Sequence, residues 1–395
     1  MKITDVETIP VSLPVGKFTD GMDKVGGVNA PSKYYTPERE RPGKRKAPDG
    51  LTLLSNVIVK IHTDEGVVGV GEAACDGKEP VEAVKYIIDR EMKPNLLGRD
   101  PLDRDSLIDS VSGRAARGAN RFSISGIDLA LFDLAGKKLG VPVYTLLGGK
   151  RTDRLLASIE VPRGTPEKLA AHCREYVDQG IRGIKAKIGS DPSQDAESLQ
   201  AIRDAVGKSV FLRADANCGY SVKEAIAFCG LVERSDVDLE LLEQPVDTFD
   251  IDGMAEVRRR VGIPIEADES AYSLYQVMEL IKRGAVDVIN TKCGKAGGCL
   301  GVSKWAVVAE SAGLPIVIGT EWGAGLKVAA KLHLGASIKN AHPAVELTEI
   351  MIHELLLPHE LELEDGYLRV PDGPGLGWDL DQEKIEQFRA PGFPA

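Results

Sequence analysis

A barrel of parallel strands joined to a smaller α+β domain is the fold class that this sequence predicts. Its 395 residues exceed one ordinary core and suit a barrel of roughly 250 residues with an appended domain. Strand-like runs alternate with helical ones from about Leu155 to Leu357. Charged residues end these strands at a steady interval. Lys185 and Lys187 end GIKAKIG, Asp215 ends FLRADAN, Glu243 ends LELLEQP, Asp268 ends PIEADES and Lys292 ends VDVINTK, successive sites lying 24 to 28 residues apart from Lys187 onward. One βα unit consumes roughly 25 to 35 residues. The charges therefore fall on successive strands and share one rim, the C-terminal rim where such barrels place their chemistry.

The elements follow in order. TLLSNVIVKIHTDEGVVGVGEA, from Thr52 to Ala73, alternates and turns at Asp64-Glu65-Gly66, a hairpin pattern. Helical periodicity follows in PVEAVKYIIDREMKPNLLG and in ISGIDLALFDLAGKKLG, which stops at Gly140 before Pro142. Strands followed by helices make the small α+β domain. Within the barrel stretch, SLQAIRDAVG and MAEVRRRVG read as helices between strands. After it, LELEDGYLRVPDGPGLGWDLD carries strand and turn residues with no helix to pair, and is expected to return to the first domain. Residues 15 to 50, including KYYTPERERPGKRKAPDG, show neither period; a loop of this length is either a solvated linker or a functional cover.

Composition narrows the partners. A net charge of −11 opposes nucleic acid and anionic membranes, both of which would repel it. Asp5 and Glu7 interrupt the apolar core that a signal peptide needs, and no apolar run reaches membrane-spanning length, so a cytoplasmic protein is expected. The six cysteines form no CxxC pair and read as reduced thiols.

Side chains two apart on a strand point the same way, so Lys185 and Lys187 share a face, as do Asp215 and Asn217, and Asn290 and Lys292. The alternate residues Ile184, Ala186 and Ile188 suit the face that packs on helices. The lysines must then face a polar interior, since a buried ammonium needs pairing or neutralisation. Three acids on one rim repel one another unless a cation neutralises them, and oxygen-only ligands favour Mg²⁺, with Mn²⁺ the alternative. The bland reading is that Asp215, Glu243 and Asp268 only pair with the lysines and Arg213, although ion pairs seldom repeat on successive strands. A lysine beside a divalent cation and a second ammonium is pushed toward the neutral form that can take a proton. Lys187 on the second strand and Lys292 on the sixth face each other across the mouth, an arrangement for moving a proton at a single carbon.

Other motifs fail in context. GVGEAA fits a dinucleotide fingerprint but lies inside a hairpin, and DANCG begins like a calcium loop yet has Ile226 where a bidentate Glu is needed. The six histidines show no ligand spacing.

At GVVGVGEA, ISGIDLALFDLAGKKLGVPVYTLLGG, GIKAKIG, RADAN, LEQP, ADES, NTKCGKAGG and PDGPGLGWDLD the chain resembles the enolase superfamily, and within it the muconate-lactonizing (muconate cycloisomerase) group. A Lys or His base working beside Mg²⁺ is the general pattern of that superfamily. The resemblance implies a modified TIM barrel, (β/α)7β, spanning 126–357, under an α+β N-terminal capping domain at 1–125 that is completed by the C-terminal segment 358–395. It places the metal ligands at Asp215, Glu243 and Asp268, the acid and base at Lys187 and Lys292, Lys185 beside the substrate carboxylate, and Glu269 close behind the ligands. It also implies a symmetric homo-oligomer and metal-assisted removal or delivery of a proton alpha to a carboxylate through an enediolate.

Two departures stand out. The seventh strand ends IVIGTEWGAG, which puts the family's glutamate at Gly323, two residues after Glu321. The eighth, AVELTEIM, lacks the Asp-x-Asp pair that dipeptide epimerases use on the substrate's amino group. The expected activity is Mg²⁺-dependent isomerisation of a small carboxylate, by a cycloisomerase or a racemase/epimerase. Dehydration of an acid sugar or hydroxy acid, with Glu321 as the acid, is the alternative; a class I aldolase and a non-catalytic barrel are distant ones. Asn217, Glu269 and Glu321 are further candidates for substrate contact. Tyr34 and Tyr35, with Arg39, Arg41 and Lys44, would supply a cover over the mouth.

Overall fold

The computed structural model describes residues 1–15, 45–46, 52–75, 79–113, 119–352 and 354–393. In the small domain, β1 (Ile3–Pro14) runs antiparallel to β3 (Thr52–Thr63), which also pairs with β4 (Val68–Ala74) and the two-residue β2 (Arg45–Lys46). The expected hairpin is present, and Gly66 takes the positive φ of 77° that its turn requires. A helix over Arg121–Leu139 lies on this hairpin and ends, as its period does, at Gly140 in the left-handed conformation. The glycines of GVGEAA owe their place to this contact: a Cβ on Gly69 would stand 2.2 Å from the Ala130 carbonyl, and one on Gly71 2.3 Å from that of Gly126.

The barrel strands are β5 (Arg154–Val161), β6 (Gly183–Lys187), β7 (Phe211–Asp215), β8 (Leu242–Glu243), β9 (Ile265–Ala267), β10 (Val288–Thr291), β11 (Ile316–Ile318) and β12 (Ala344–Glu346), hydrogen-bonded as neighbours in chain order with β12 closing on β5. All these pairings are parallel, and a bridge between Ile316 and Ala341 joins β11 to the segment entering β12. Alternation then sorts the side chains. Ile184, Ala186 and Ile188 join the large apolar core between strands and helices, whereas Leu241, Val288 and Val317 form a small plug of their own.

The chain beyond 358 touches both units. β13 (Tyr367–Arg369) pairs antiparallel with β5, and farther on Ser12 N donates to Phe388 O and Ala390 N to Pro10 O. Two buried carboxylates lock the domains together. Asp133, on the long helix, accepts from Val70 N and Leu376 N; Glu72, on β4, accepts from Asn56 Nδ2, Ala324 N and Lys327 N, binding the small domain to the start of the helix Leu326–Ser337. Tyr34 and Tyr35, and with them nearly all of the segment expected to cover the mouth, lie outside the described residues. Among the described residues no helix is long and apolar enough to cross a membrane.

Candidate active site

The strand register decides which charges meet. Lys187 pairs across to Asp215 and Asp215 to Glu243, while Glu243 stands beside Glu266, two residues before Asp268. All point into the barrel by the two-residue alternation. The Lys185 ammonium lies 2.8 Å from Glu346 Oε1, 3.0 Å from Glu243 Oε2, 3.2 Å from Glu160 Oε1 and 3.6 Å from Asp215 Oδ2. Lys187 sits 2.7 Å from Asp215 Oδ2 and 2.9 Å from Glu160 Oε1. Lys292 bonds Asp268 Oδ2 at 2.7 Å, and Lys295 takes the other oxygen of the same carboxylate.

Six of the expected residues, Lys185, Lys187, Asp215, Glu243, Asp268 and Lys292, thus come together and are buried. Asn217 and Glu269 join them by bonding each other: Asn217 Nδ2 donates to Glu269 Oε1 at 3.0 Å, while Asn217 N fixes Asp215 Oδ1 at 2.8 Å. Glu321 has a different task. Its oxygens accept from Gly294 N, Lys295 N and Lys327 Nζ, so it holds the start of the short helix Cys293–Ala296.

Sequence reasoning missed Glu160, Glu266, Glu346 and Lys295. Each carboxylate lies inside an apolar strand run at the inward parity, the same signal that marked the lysines, and Lys295 lies one helical turn after Lys292. Among the described residues, with Arg213 added, the cluster holds seven carboxylates (Glu160, Asp215, Glu243, Glu266, Asp268, Glu269, Glu346) against five cations (Lys185, Lys187, Arg213, Lys292, Lys295), a deficit of two positive charges when all are ionised.

The proton affinities follow that imbalance. Burial, and then the Asp215 charge, raise Glu243 well above the ordinary carboxylate range. Burial drives Glu266 and Glu269 each to about 7. Burial would raise Asp268 too, but Lys292 and Lys295 hold it well below its usual value. Burial alone would lower Lys187 and Lys292; the Asp215 and Glu160 carboxylates outweigh it for Lys187, and Asp268 for Lys292, so with protein groups alone around them both ammoniums are stabilised. The push toward neutrality expected from a neighbouring divalent cation is therefore absent with protein groups alone, and would need a cation to take over Asp215 and Asp268.

The donor set fits such a cation. It is all oxygen, it is two positive charges short, and Glu266 and one oxygen of Glu269 find no hydrogen-bond partner among the described residues. As they stand, no three acidic, His or Cys side chains among the described residues converge tightly enough to hold a metal. The lysines explain this: Lys185 spans Asp215 and Glu243, while Lys292 and Lys295 take up both oxygens of Asp268. Ligation by Asp215, Glu243 and Asp268 requires these ammoniums to yield.

The chain matches the family described as mandelate racemase / muconate lactonizing enzyme, N-terminal domain, over residues 45–148 and the one described as enolase C-terminal domain-like over residues 168–384. It is 32% identical over 383 residues to an L-Ala-D/L-Glu epimerase of Bacillus subtilis, covering 95% of this chain and 96% of that protein. It is 31% identical over 345 residues to an arabinonate dehydratase of Saccharolobus solfataricus, covering 84% and 90%. Its fold is similar to the solved muconate lactonizing enzyme from Pseudomonas putida, with a TM-score of 0.84 at 26% identity, covering 99% of this chain and 100% of that one.

Proposed function

This chain belongs to the mandelate racemase/muconate lactonizing enzyme family of the enolase superfamily, and on that premise we propose that it is a Mg²⁺-dependent isomerase of a small carboxylate. The reaction is racemisation or epimerisation at the carbon alpha to the carboxylate, or cycloisomerisation that protonates the same position. The observation that carries this reading is the placement of Lys187 and Lys292. Lys187 ends β6 and Lys292 directly follows β10, four strands apart in a ring of eight, with Asp215 beside the one and Asp268 beside the other.

Asp215, Glu243 and Asp268 would hold the Mg²⁺, which when bound supplies Lewis-acid stabilisation to the substrate carboxylate as it gains negative charge. The remaining work belongs to the chain. Lys185, with Glu160 and Glu346 as partners outside the proposed ligand set, presents its ammonium inside the mouth. One of Lys187 and Lys292 removes the α-proton from one face and the other returns a proton to the opposite face, which inverts the centre; a cycloisomerase needs a single lysine to deliver the proton. The small domain and the strand-end loops, tied by Glu72, keep this geometry fixed. All six cysteines are free, which supports a reducing, cytoplasmic setting, and a symmetric homo-oligomer is the assembly we expect.

Incubation of N-acyl amino acids, betaines, muconates and sugar acids in D₂O with Mg²⁺ tests the proposal. Exchange at the α-carbon, lost for one face in Lys187→Ala and for the other in Lys292→Ala, is the expected result. Full turnover and exchange in both variants would refute the mechanism. Dehydration is the second reading, favoured by the likeness to the arabinonate dehydratase. Against it, Glu321, the acid it would use, is already committed to two backbone N–H groups and Lys327. A 2-keto acid formed from a sugar acid would decide for it.

A further inference from the structure

The lysines at the mouth are held by different means. Among the described residues Lys185 touches four carboxylates, of which Asp215 and Glu243 are proposed cation ligands, so Glu160 and Glu346 remain to it. Lys187 touches two, Asp215 at 2.7 Å and Glu160 at 2.9 Å. Lys292 depends on Asp268, which it shares with Lys295. Asp215 and Asp268 are both proposed cation ligands, whereas Glu160 is not. Once Asp215 turns to a cation, Glu160 is the carboxylate left to Lys187.

Glu160 is built to stay in place. It lies on β5 directly opposite Lys185 of β6, it is 4% exposed, and its backbone N–H donates to Thr348 Oγ1 at 3.1 Å just after β12. Both neighbouring strands therefore fix its backbone. Its Oε1 receives the Lys185 and Lys187 ammoniums together, which sets the spacing between a multiply anchored lysine and a singly anchored one. Nothing comparable stands behind Lys292 among the described residues: Lys295 beside it carries the same sign.

We infer that Glu160 is the positioning residue of Lys187, holding its ammonium against one face of the substrate while leaving the face served by Lys292 to other groups. The inference rests on the isomerase reading and adds to it a residue with a one-sided effect. A misplacement of about 1 Å in a proton-transfer group costs on the order of 100-fold, so the consequence is measurable.

The experiment compares Glu160→Gln with the unmodified enzyme, following α-proton exchange in D₂O for each enantiomer or epimer separately, with the Lys187→Ala and Lys292→Ala variants assigning each to its lysine. Exchange on the Lys187 face should fall on the order of 10- to 100-fold in kcat, with KM and the Lys292 face changing by less than about 3-fold. Glu160→Asp, one methylene shorter, should recover part of the loss. Equal loss on both faces, or loss on neither, would overturn the inference. A lysine ζ-¹⁵N NMR spectrum of the Mg²⁺-loaded protein separates this failure from that of the isomerase reading. If no carboxylate exchanges even with the unmodified enzyme, the function falls on its own. The positioning role still stands if Glu160→Gln shifts or broadens the Lys187 signal and leaves that of Lys292 in place, and it fails if both or neither respond.

Discussion

Gly319 offers a way to disturb Lys292 without touching a charge. It follows β11 with its missing side chain directed inward by the strand alternation, and its N–H is bonded to Thr291 O on β10. A Cβ built there would stand 2.2 Å from Asn290 Oδ1 and 2.9 Å from Lys292 Cε. Ordinary contact begins at 3.4 Å, so in Gly319→Ala the Asn290 amide must retreat by about 1 Å and the Lys292 stem by about 0.5 Å. Asn290 is fully buried, and its Nδ2 already reaches Glu243 at 3.3 Å and Glu346 at 3.5 Å, so it cannot swing to solvent. The strain passes to the lysine. A shift of that size predicts a fall of roughly 10- to 100-fold in kcat on the Lys292 face, or about 1.4 to 2.7 kcal/mol of barrier, with the Lys187 face much less affected. Overpacking should also cost about 1 to 3 kcal/mol of stability. Face-resolved exchange in D₂O, run beside a thermal melt, measures both effects. A folded Gly319→Ala enzyme that keeps the unmodified rate on the Lys292 face would show that this contact does not set the lysine's position.

Two further outcomes follow from the charge arrangement. Calorimetric titration with Mg²⁺ should lose most of its affinity in each of Asp215→Asn, Glu243→Gln and Asp268→Asn; binding that survives all three places the cation elsewhere. Asp128, fully buried on the long helix, is driven by burial from 3.8 to about 7, so the folded protein binds more protons than the unfolded chain between those values and stability falls as pH rises from about 4 to about 7, by at most about 4 kcal/mol. Melts of Asp128→Asn from pH 4 to 8 should lack that share of the decline, and a pH dependence matching the unmodified protein would count against it.

The architecture was legible because two periods coincide. The two-residue alternation of GIKAKIG and the interval of 24 to 28 residues between charged strand ends are both properties of the chain, and together they place charges on one rim before any contact is known. The same rule reaches Glu160, Glu266 and Glu346, each an acid in an apolar strand; attention to strand ends alone passes over them because they sit one layer deeper or on the first and last strands. Glu321 misled for the opposite reason. It follows a strand like the others, but three residues past Ile318 the chain has left the alternation, and its side chain turns to the N–H groups of Gly294 and Lys295. Gly319 and Lys295 were hidden in a different sense. A glycine's value lies in what its absent side chain would strike, and a lysine one helical turn from the site announces itself only when the helix is seen to begin there.

The depth of the charge cluster bears on why it persists. Replacing a buried ion pair by packed apolar residues is often neutral or stabilising, so twelve ionisable groups gathered in and around one barrel mouth are a poor route to stability. Their balance makes the point sharper. A set selected only for mutual pairing would come out neutral, yet this one is two positive charges short, and the deficit falls on Glu243, Glu266 and Glu269, the groups that burial pushes toward protonation. A divalent cation held by Asp215, Glu243 and Asp268, as proposed, would supply the missing charge in one place. Were Asp215 and Asp268 to turn to such a cation, Lys187 and Lys292 would lose their nearest partners, the condition under which either lysine could trade a proton with carbon. On the proposed reading the same arrangement that leaves the cluster short of charge would make the chemistry conditional on the cation, and among the described residues it would leave Glu160 as the one ion-pair contact of Lys187 outside that exchange.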